Sequence, residues 1–582
     1  MATAPTAASA TTWAGLLTLP PEILHDIFTH VEARDLGRLP CTCRALRDYV
    51  MGNDKLFKDN YLARMDTPKR MDLDWTLETQ NLVRLQAICS EKRTQYDDAD
   101  FPVVYQAVSS LLANASAGDS VSPAAARSFK HAPSHNAWTL ARLFYDNEPL
   151  RDAYFTKSSL FRRARRQTTS LTSGRPGPSE SAEGGGDSGG STDDELWQKS
   201  ARLHCLFGRP ILNAGKTRSF RMHPYACSKV YDIRQYTQRT HWGPFRDDGS
   251  DRVDWEKVEA IQIVLGSNLR STQQQGFQLH NIWDMPFAGS WSGSWVPTPG
   301  RTLSDLDARD PYGISGTWLR VVCFIDYGDF SAYNFEPPAA NLPSHVARPP
   351  LDVEEAVRFI LMTVKVTAIE PPGEDDGKDL PVVKFEGMSR SLDDSWDENA
   401  NSELRGTCRL TKEGEVRWTT FSVYNGEERW RSESVQVGGV RSTRGVLGNW
   451  FDAEFSEHGP VGPTAFWKLS DPRPQDAQGG GIAIHDFFSI VQGFADLSDE
   501  EFDADYVMGE FGEDDEEEDE DVEVDDEEVL EDMDALAQGD GDVEIIDLTT
   551  WPPTLTGGQG QSQGEGHGQD QEPGQGQGQG GV

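Results

Sequence analysis

Apolar side chains recur at helical spacing between residues 16 and 62, near the start of the chain. Pro20 and Pro21 stand at the beginning of this pattern, where proline suits a helix start because its missing amide proton is not needed. The pattern predicts three short amphipathic helices. A unit of roughly 40 residues cannot bury so much apolar surface alone, so part of this face is expected to contact a partner. The apolar positions of the first helix are Ile23, Leu24, Ile27, Phe28 and Val31.

Helical periodicity continues beyond this unit, and we predict a helical region over 63–167. Its helices are expected near 75–88, 103–112 and 136–163, with Pro149 breaking the last run. The Gly-, Ser- and Pro-rich segment 168–195 is too poor in apolar residues to fold, so it is predicted to be a disordered linker. Residues 1–15 are also predicted to be disordered.

The pattern changes to strand-like runs in the region 196–470, which predicts a β-rich domain with one helix at 254–264. A turn at 412–415 makes residues 405–424 a predicted hairpin. Strands in series favour an antiparallel sheet, and we favour its closure into a barrel over an open sheet. The predicted fold class is therefore α+β multidomain, with helices first and the sheet second. The segments of strand character are 318–325, 359–366, 405–424, 428–437 and 445–451.

The order of residues in the first segment is more specific than helical spacing. Leu19-Pro20-Pro21-Glu22-Ile23-Leu24, Ile27-Phe28, Asp35-Leu36 and Thr42-Cys43-Arg44 occur in succession. This order resembles the F-box, over residues 16–62. The resemblance implies docking on a Skp-type adaptor and, through it, recruitment into a cullin-RING ubiquitin ligase. The alternative is an ordinary helical hairpin.

The F-box resemblance also implies roles for individual residues. The residues expected to bind the adaptor are Leu19, Pro20, Ile23, Leu24, Ile27 and Phe28. Those expected to hold the small helical unit together are Asp35, Leu36, Cys43 and Leu46.

A second, chemically less informative resemblance lies in the predicted β-rich domain. Segments 316–322 and 438–468 resemble the C-terminal region of uncharacterised fungal F-box proteins. This resemblance implies no chemistry, since function cannot be inferred from fold alone. We expect the domain to recognise a protein substrate of unknown identity.

The net charge of −41 is distributed unevenly. Residues 1–473 contain all 54 basic residues and 62 of the 95 acidic residues, so most of the charge lies in 474–582. This acidic and Gly/Gln-rich tail is predicted to be disordered. A slightly acidic body argues against nucleic-acid binding, which needs a basic surface.

One apolar segment interrupts the tail at 543–549. Its β-prone residues suit a strand that adds to the edge of a partner's sheet, and the acids nearby would guide it to a basic surface. The segment resembles a SUMO-interacting motif. A generic acidic interaction tail and a plain solvated segment are the alternatives. The residues expected to bind SUMO are Val543, Ile545, Ile546 and Leu548.

The remaining chemistry-bearing residues form no recognisable site. The seven cysteines are scattered and lack a CxxC pair, which indicates a reducing compartment. No signal peptide or membrane-spanning run is evident, so we expect a soluble protein of the nucleus and/or cytoplasm. The basic run 162–166 is either a nuclear import signal or a solvated helix end.

We predict no metal site, no cofactor and no catalytic residues. Five potential zinc ligands lack the short paired spacings of a zinc site, so ordinary packing is the favoured interpretation. They are His204, Cys205, His223, Cys227 and His241.

The sequence therefore predicts a non-catalytic substrate receptor of an SCF-type ligase, with sumoylated clients as the sharper hypothesis for the tail. The alternative is an F-box protein acting outside a ligase, whose β-rich domain holds a peptide or a small ligand. An enzyme would need a convergent polar site that the sequence does not reveal.

Overall fold

The computed structural model describes eleven segments of the chain, all within Met1–Phe502. The predicted disordered start 1–15, the linker residues 174–189 and the tail from 474 lie outside them. The described residues are 16–69, 71–90, 96–116, 134–145, 147–173, 190–209, 222–274, 286–297, 303–344, 346–392 and 401–472.

Helices make up the first part of the described chain, as predicted. The first unit has four α-helices, one more than the three expected, and the additional one is the last. Its helices are α1 (Pro21–Thr29), α2 (Ala33–Leu36), α3 (Arg44–Val50) and α4 (Asp54–Leu62). The helices that follow are α5 (Trp75–Ser90), α6 (Phe101–Ala113), α7 (His135–Phe144), α8 (Glu148–Phe155) and α9 (Ser159–Ser173).

Pro149 lies in the first turn of α8 and does not itself end a helix. The run breaks earlier, after Phe144, and Asn147 caps α8 by accepting a hydrogen bond from the amide of Leu150. Proline is tolerated in a first turn because no intrahelical partner is lost there.

The structure differs from the predicted domain boundary at residue 196, because the segment up to 315 contains helices and the long strands begin only at Gly316. The helix expected at 254–264 is present as α12 (Trp255–Gln274), which is buried on every side over 258–265. Helix α9 and the next helix, α10 (Gly190–Phe207), also extend into the predicted linker 168–195. The helices of this part are α10 (Gly190–Phe207), α11 (His223–Val230), α12 (Trp255–Gln274) and α13 (Asp305–Arg309).

The predicted sheet is present as a closed antiparallel barrel of eight strands. Each strand pairs with the next along the chain, and β8 pairs with β1 to complete the barrel. This confirms the antiparallel barrel, and helix α14 (Tyr327–Phe335) links its first two strands. The strands are β1 (Gly316–Ile325), β2 (Glu355–Glu370), β3 (Val382–Ser391), β4 (Asn401–Leu410), β5 (Val416–Tyr424), β6 (Glu427–Gln436), β7 (Val446–Asp452) and β8 (Val461–Ser470).

The two faces of the barrel wall have separate cores. Inside, Trp418 contacts Trp318, Phe385 and Phe466 with ring centroids 5.3–5.5 Å apart. Outside, residues such as Val321 and Leu447 belong to the same hydrophobic cluster as α12 and the N-terminal helices. The helices and the barrel are therefore joined by continuous apolar packing.

Candidate docking surface of the N-terminal helices

Helix α1 carries apolar residues on two faces with different surroundings. Leu24 and Phe28 are 7% and 2% exposed and lie in the core, whereas Ile23 and Ile27 are 48% and 37% exposed. Ile23 and Ile27 are four residues apart and so occupy the same side of the helix. The apolar pattern of α1 thus divides into a folding face and an outward face.

The outward face continues toward the N-terminus of α1. Pro20 is exposed, and Leu16, in the preceding 3₁₀ turn (Leu16–Thr18), is also exposed. We call Leu16, Pro20, Ile23 and Ile27 the α1 stripe. Exposed apolar residues grouped in this way are typical of an interaction surface.

Side chains of α3 and α4 hold α1 in place at both ends. Near its start, the Tyr49 hydroxyl donates to the carbonyl of Pro21 at 3.1 Å. Burial raises the pKa of Tyr49, and the nearby Glu22 carboxylate raises it further. The hydroxyl therefore stays protonated and can donate this hydrogen bond. At the other end, the Asn60 amide donates to the carbonyls of Phe28, Thr29 and Val31 at 2.7–3.1 Å. These contacts present the α1 stripe on a fixed helix.

Replacing Asn60 with aspartate is expected to lower the free energy of unfolding by at least about 2 kcal/mol, because the carbonyls at the end of α1 lose their donor and face a carboxylate. Asn53→Asp is the matched control. Asn53 caps α4 by accepting from the amide of Leu56 and donates to a single carbonyl, that of Tyr49, at 3.2 Å. Aspartate caps a helix about as well as asparagine, so this variant loses one half-buried bond where Asn60→Asp loses three. Urea unfolding of the full-length variants measures the effect, and equal midpoints for the two would contradict this role for Asn60.

The structure assigns different surroundings to the predicted adaptor-binding residues. Pro20, Ile23 and Ile27 are exposed, Leu19 is half-buried against the core, and Leu24 and Phe28 are core residues. Leu16, also exposed, was not among the predicted residues, although it begins the same segment.

The four residues expected to hold the unit together also divide. Leu36 and Leu46 are buried, whereas Asp35 and Cys43 are exposed. The predicted SUMO-binding segment 543–549 lies outside the described residues.

The basic run 162–166 lies in α9 and makes intramolecular contacts. Arg162 stacks over the ring of Trp197 at 4.3 Å, and Arg165 donates to the carbonyl of Thr156 at 2.9 Å. Both arginines are half-buried. These contacts give the basic run a structural role, besides the nuclear import signal and the solvated helix end that its sequence allows.

The barrel interior contains a second feature of chemical interest, the buried guanidinium of Arg320, which is 5% exposed. Its Nε donates to the Thr464 hydroxyl at 3.0 Å and its Nη2 to the Ser432 hydroxyl at 2.5 Å. Burial lowers the pKa of Arg320 to about 10, so the group is still charged at neutral pH. In the part of the chain that the structure describes, no carboxylate lies within 4.0 Å of it.

Small hydroxyl side chains also face the barrel interior. The strand register places Ser391, Thr420 and Ser434 on the inward face with Arg320. Their hydroxyls are buried and have no hydrogen-bond partner among the described residues. A buried cation and unused hydroxyls on the same inward face are suited to an anionic group.

The comparisons with known proteins agree with the N-terminal geometry. The family model of the F-box-like domain matches residues 16–63, a small part of the 582-residue chain. No curated protein and no solved structure matches the chain significantly. The helices of the described segments include none with the length and apolar character needed to cross a membrane.

The chain therefore contains an F-box-like domain at residues 16–63, and this domain supports its assignment as an F-box protein. F-box domains generally bind Skp-type adaptors in cullin-RING ligases, so this domain supports a general role as a ubiquitin-ligase adaptor.

Proposed function

We propose that this protein is a substrate-receptor subunit of an SCF-type cullin-RING ubiquitin ligase. The observation that carries the proposal is the α1 stripe, which lies within the F-box-like domain but outside its core. The stripe would dock on the Skp-type adaptor. The chain itself would catalyse nothing, since its contribution is to hold a client near the ubiquitin-charged enzyme.

The helices and the barrel together would form the part of the protein that binds the client. Their continuous apolar packing supports this role, because a rigid connection would hold the client at a fixed position relative to the adaptor. The client is an unknown protein, and the site of action is the nucleus and/or the cytoplasm.

Affinity purification of the tagged full-length protein, with and without proteasome inhibition, tests this function. We expect the Skp-type adaptor, a cullin and a RING protein to co-purify, and clients to accumulate under inhibition. Recovery of the adaptor without the cullin and the RING protein would instead favour a role outside a ligase. Recovery of none of the three would contradict both functions.

In the sharper form of the proposal, the tail recruits sumoylated clients through Val543, Ile545, Ile546 and Leu548. The β-prone residues of this segment support strand addition to SUMO. Replacing Ile545 and Ile546 with alanine removes two apolar side chains from that strand, so SUMO binding to the full-length protein should fall at least about tenfold. Titration by calorimetry measures this, and equal binding by the wild type and the variant would remove SUMO from the proposal.

The alternative function is a peptide- or ligand-binding protein whose F-box serves outside a ligase. The buried Arg320 and the unused hydroxyls on the same inward face favour this alternative, because they suit a carboxylate or another anion inside the barrel. The cullin and RING readout described above distinguishes the two functions.

A further inference from the structure

Three potential metal ligands from distant parts of the chain meet where α11 packs near the barrel. His223 and Cys227 are four residues apart and share one side of α11. Glu355 is the first residue of β2 and lies 128 positions beyond Cys227. One ligand atom from each residue lies within 4.8 Å of the other two.

The distances between these atoms form a compact triangle. His223 Nε2 lies 2.8 Å from Glu355 Oε2 and 3.4 Å from Cys227 Sγ. Cys227 Sγ lies 3.5 Å from Glu355 Oε2. One potential ligand atom of each residue therefore lies at a corner of this triangle.

The triangle is close to one face of a zinc-centred tetrahedron. With ordinary zinc–ligand bond lengths, tetrahedral angles place nitrogen and oxygen about 3.3 Å apart, and sulfur about 3.5 Å from either. Both sulfur distances in this protein already agree with that geometry. The nitrogen–oxygen distance needs to increase by about 0.5 Å, which replaces the direct His223–Glu355 hydrogen bond with two bonds to the metal.

The groups around the triangle would orient its ligands. The Glu355 side chain is fully buried, and its Oε1 accepts a hydrogen bond from the Tyr231 hydroxyl. The Asn268 amide donates to Glu355 Oε2 at 2.9 Å. Partners of this kind fix a ligating carboxylate in place and are characteristic of metal sites.

Access and charge are also suitable. Cys227 is buried, but the His223 side chain is 22% exposed and gives the site an edge open to solvent. Zinc binding would release the Cys227 thiol proton to solvent, and the resulting thiolate together with the Glu355 carboxylate would supply two negative charges that a divalent ion balances. Mixed nitrogen, sulfur and oxygen ligands suit zinc better than magnesium or calcium, which prefer oxygen alone.

We propose that His223, Cys227 and Glu355 bind a zinc ion, with a water molecule as the fourth ligand on the solvent side. The site would connect helix α11 to strand β2 of the barrel. This differs from the sequence-based prediction of no metal, which recognised His223 and Cys227 but had no means of associating Glu355 with them.

Zinc analysis of the full-length protein by inductively coupled plasma mass spectrometry tests the site. After incubation with zinc and removal of the excess, we expect about one equivalent in the wild type. His223→Gln, Cys227→Ser and Glu355→Gln are each expected to retain less than about a tenth of it, since each replaces an imidazole, thiolate or carboxylate ligand with a much weaker one. Cys89→Ser, at a buried thiol of α5, and Glu370→Gln, at an exposed carboxylate of β2, are the controls and should retain the full equivalent.

Cobalt substitution gives a second readout. The wild type reconstituted with Co²⁺ should show a sulfur-to-cobalt charge-transfer band, which Cys227→Ser should lack and Cys89→Ser should keep. His223→Gln alters a partly exposed side chain, so its folding, checked by circular dichroism, should be intact. A wild type that binds no zinc, or a folded His223→Gln that binds as much as the wild type, would show that the three residues form only a hydrogen-bonded cluster and would overturn the proposal.

Discussion

Replacing Ile23 and Ile27 with aspartate is expected to abolish co-purification of the Skp-type adaptor while leaving the protein folded. Both side chains are substantially exposed in the free chain, so the change costs little in folding. In the complex they would be buried, and each full burial of such a side chain contributes about 1.5–3 kcal/mol. The variant would lose at least half of that burial energy at both positions, and it would also have to desolvate two carboxylates. We therefore expect binding to weaken at least about 100-fold.

The matched control for this loss is Leu77→Asp. Leu77 lies on α5, outside the F-box-like domain, and is 49% exposed, which is close to the value for Ile23. It places the same charge on a comparable apolar position of a helix. Pull-down of the purified adaptor by each full-length variant measures the difference. Equal recovery with Ile23→Asp/Ile27→Asp and with Leu77→Asp would exclude the α1 stripe as the docking surface.

Alanine replacement of Leu19 and Pro20 is expected to weaken adaptor binding as well, although the structure makes it a less selective test. Leu19 packs partly against the core, so its truncation also affects folding. Leu24 and Phe28 are still less suitable, since their loss would remove the support on which the α1 stripe is presented.

The second large effect is expected from Glu433→Gln on β6. The carboxylate of Glu433 is fully buried and accepts from Arg417 Nε at 2.8 Å and from Arg431 Nη2 at 2.5 Å. Neutralising it leaves two guanidinium groups without their shared counter-ion. Breaking a buried ion pair by removing one partner typically costs about 3–5 kcal/mol. Because Arg417 keeps Asp251 as a second partner, we expect the free energy of unfolding to fall by an amount at the lower end of that range.

Glu370→Gln is the control for the buried pair. Glu370 pairs with Lys384 at 2.6 Å on the same barrel, but both side chains are about half exposed. Exposed pairs of this kind contribute about 0–1 kcal/mol. Urea denaturation of the full-length proteins compares the two variants, and similar midpoints would contradict the stabilising role assigned to Glu433.

The position of Glu433 explains why so polar a residue is found in the barrel wall. Arg417, which it holds, also donates to Asp251 at 2.6 Å, in the segment before α12. The cluster thereby attaches this segment to β5 and β6. Its members are separated by up to 182 positions along the chain, so no local pattern in the sequence indicates it.

Local sequence patterns determined much of the fold. The order of residues in 16–62 identified the F-box resemblance, and the turn at 412–415 correctly placed the hairpin of β4 and β5. Strands in succession favoured the closed antiparallel barrel that is present. These features depend on residues close together in the chain, where spacing and turn chemistry restrict the backbone directly.

Only the tertiary structure decided which side of each apolar segment faces the core. Ile23 and Leu24 are equally apolar and adjacent, yet one is exposed and the other buried. The helix expected at 254–264 is present as α12, but only the packing shows that it is buried on every side, polar residues such as Glu259 included. The meeting of His223, Cys227 and Glu355 likewise depends on packing between distant segments. The sequence by itself therefore determined the kinds of elements and the F-box-like domain, whereas long-range packing decided which residues remain available to bind a partner or a metal.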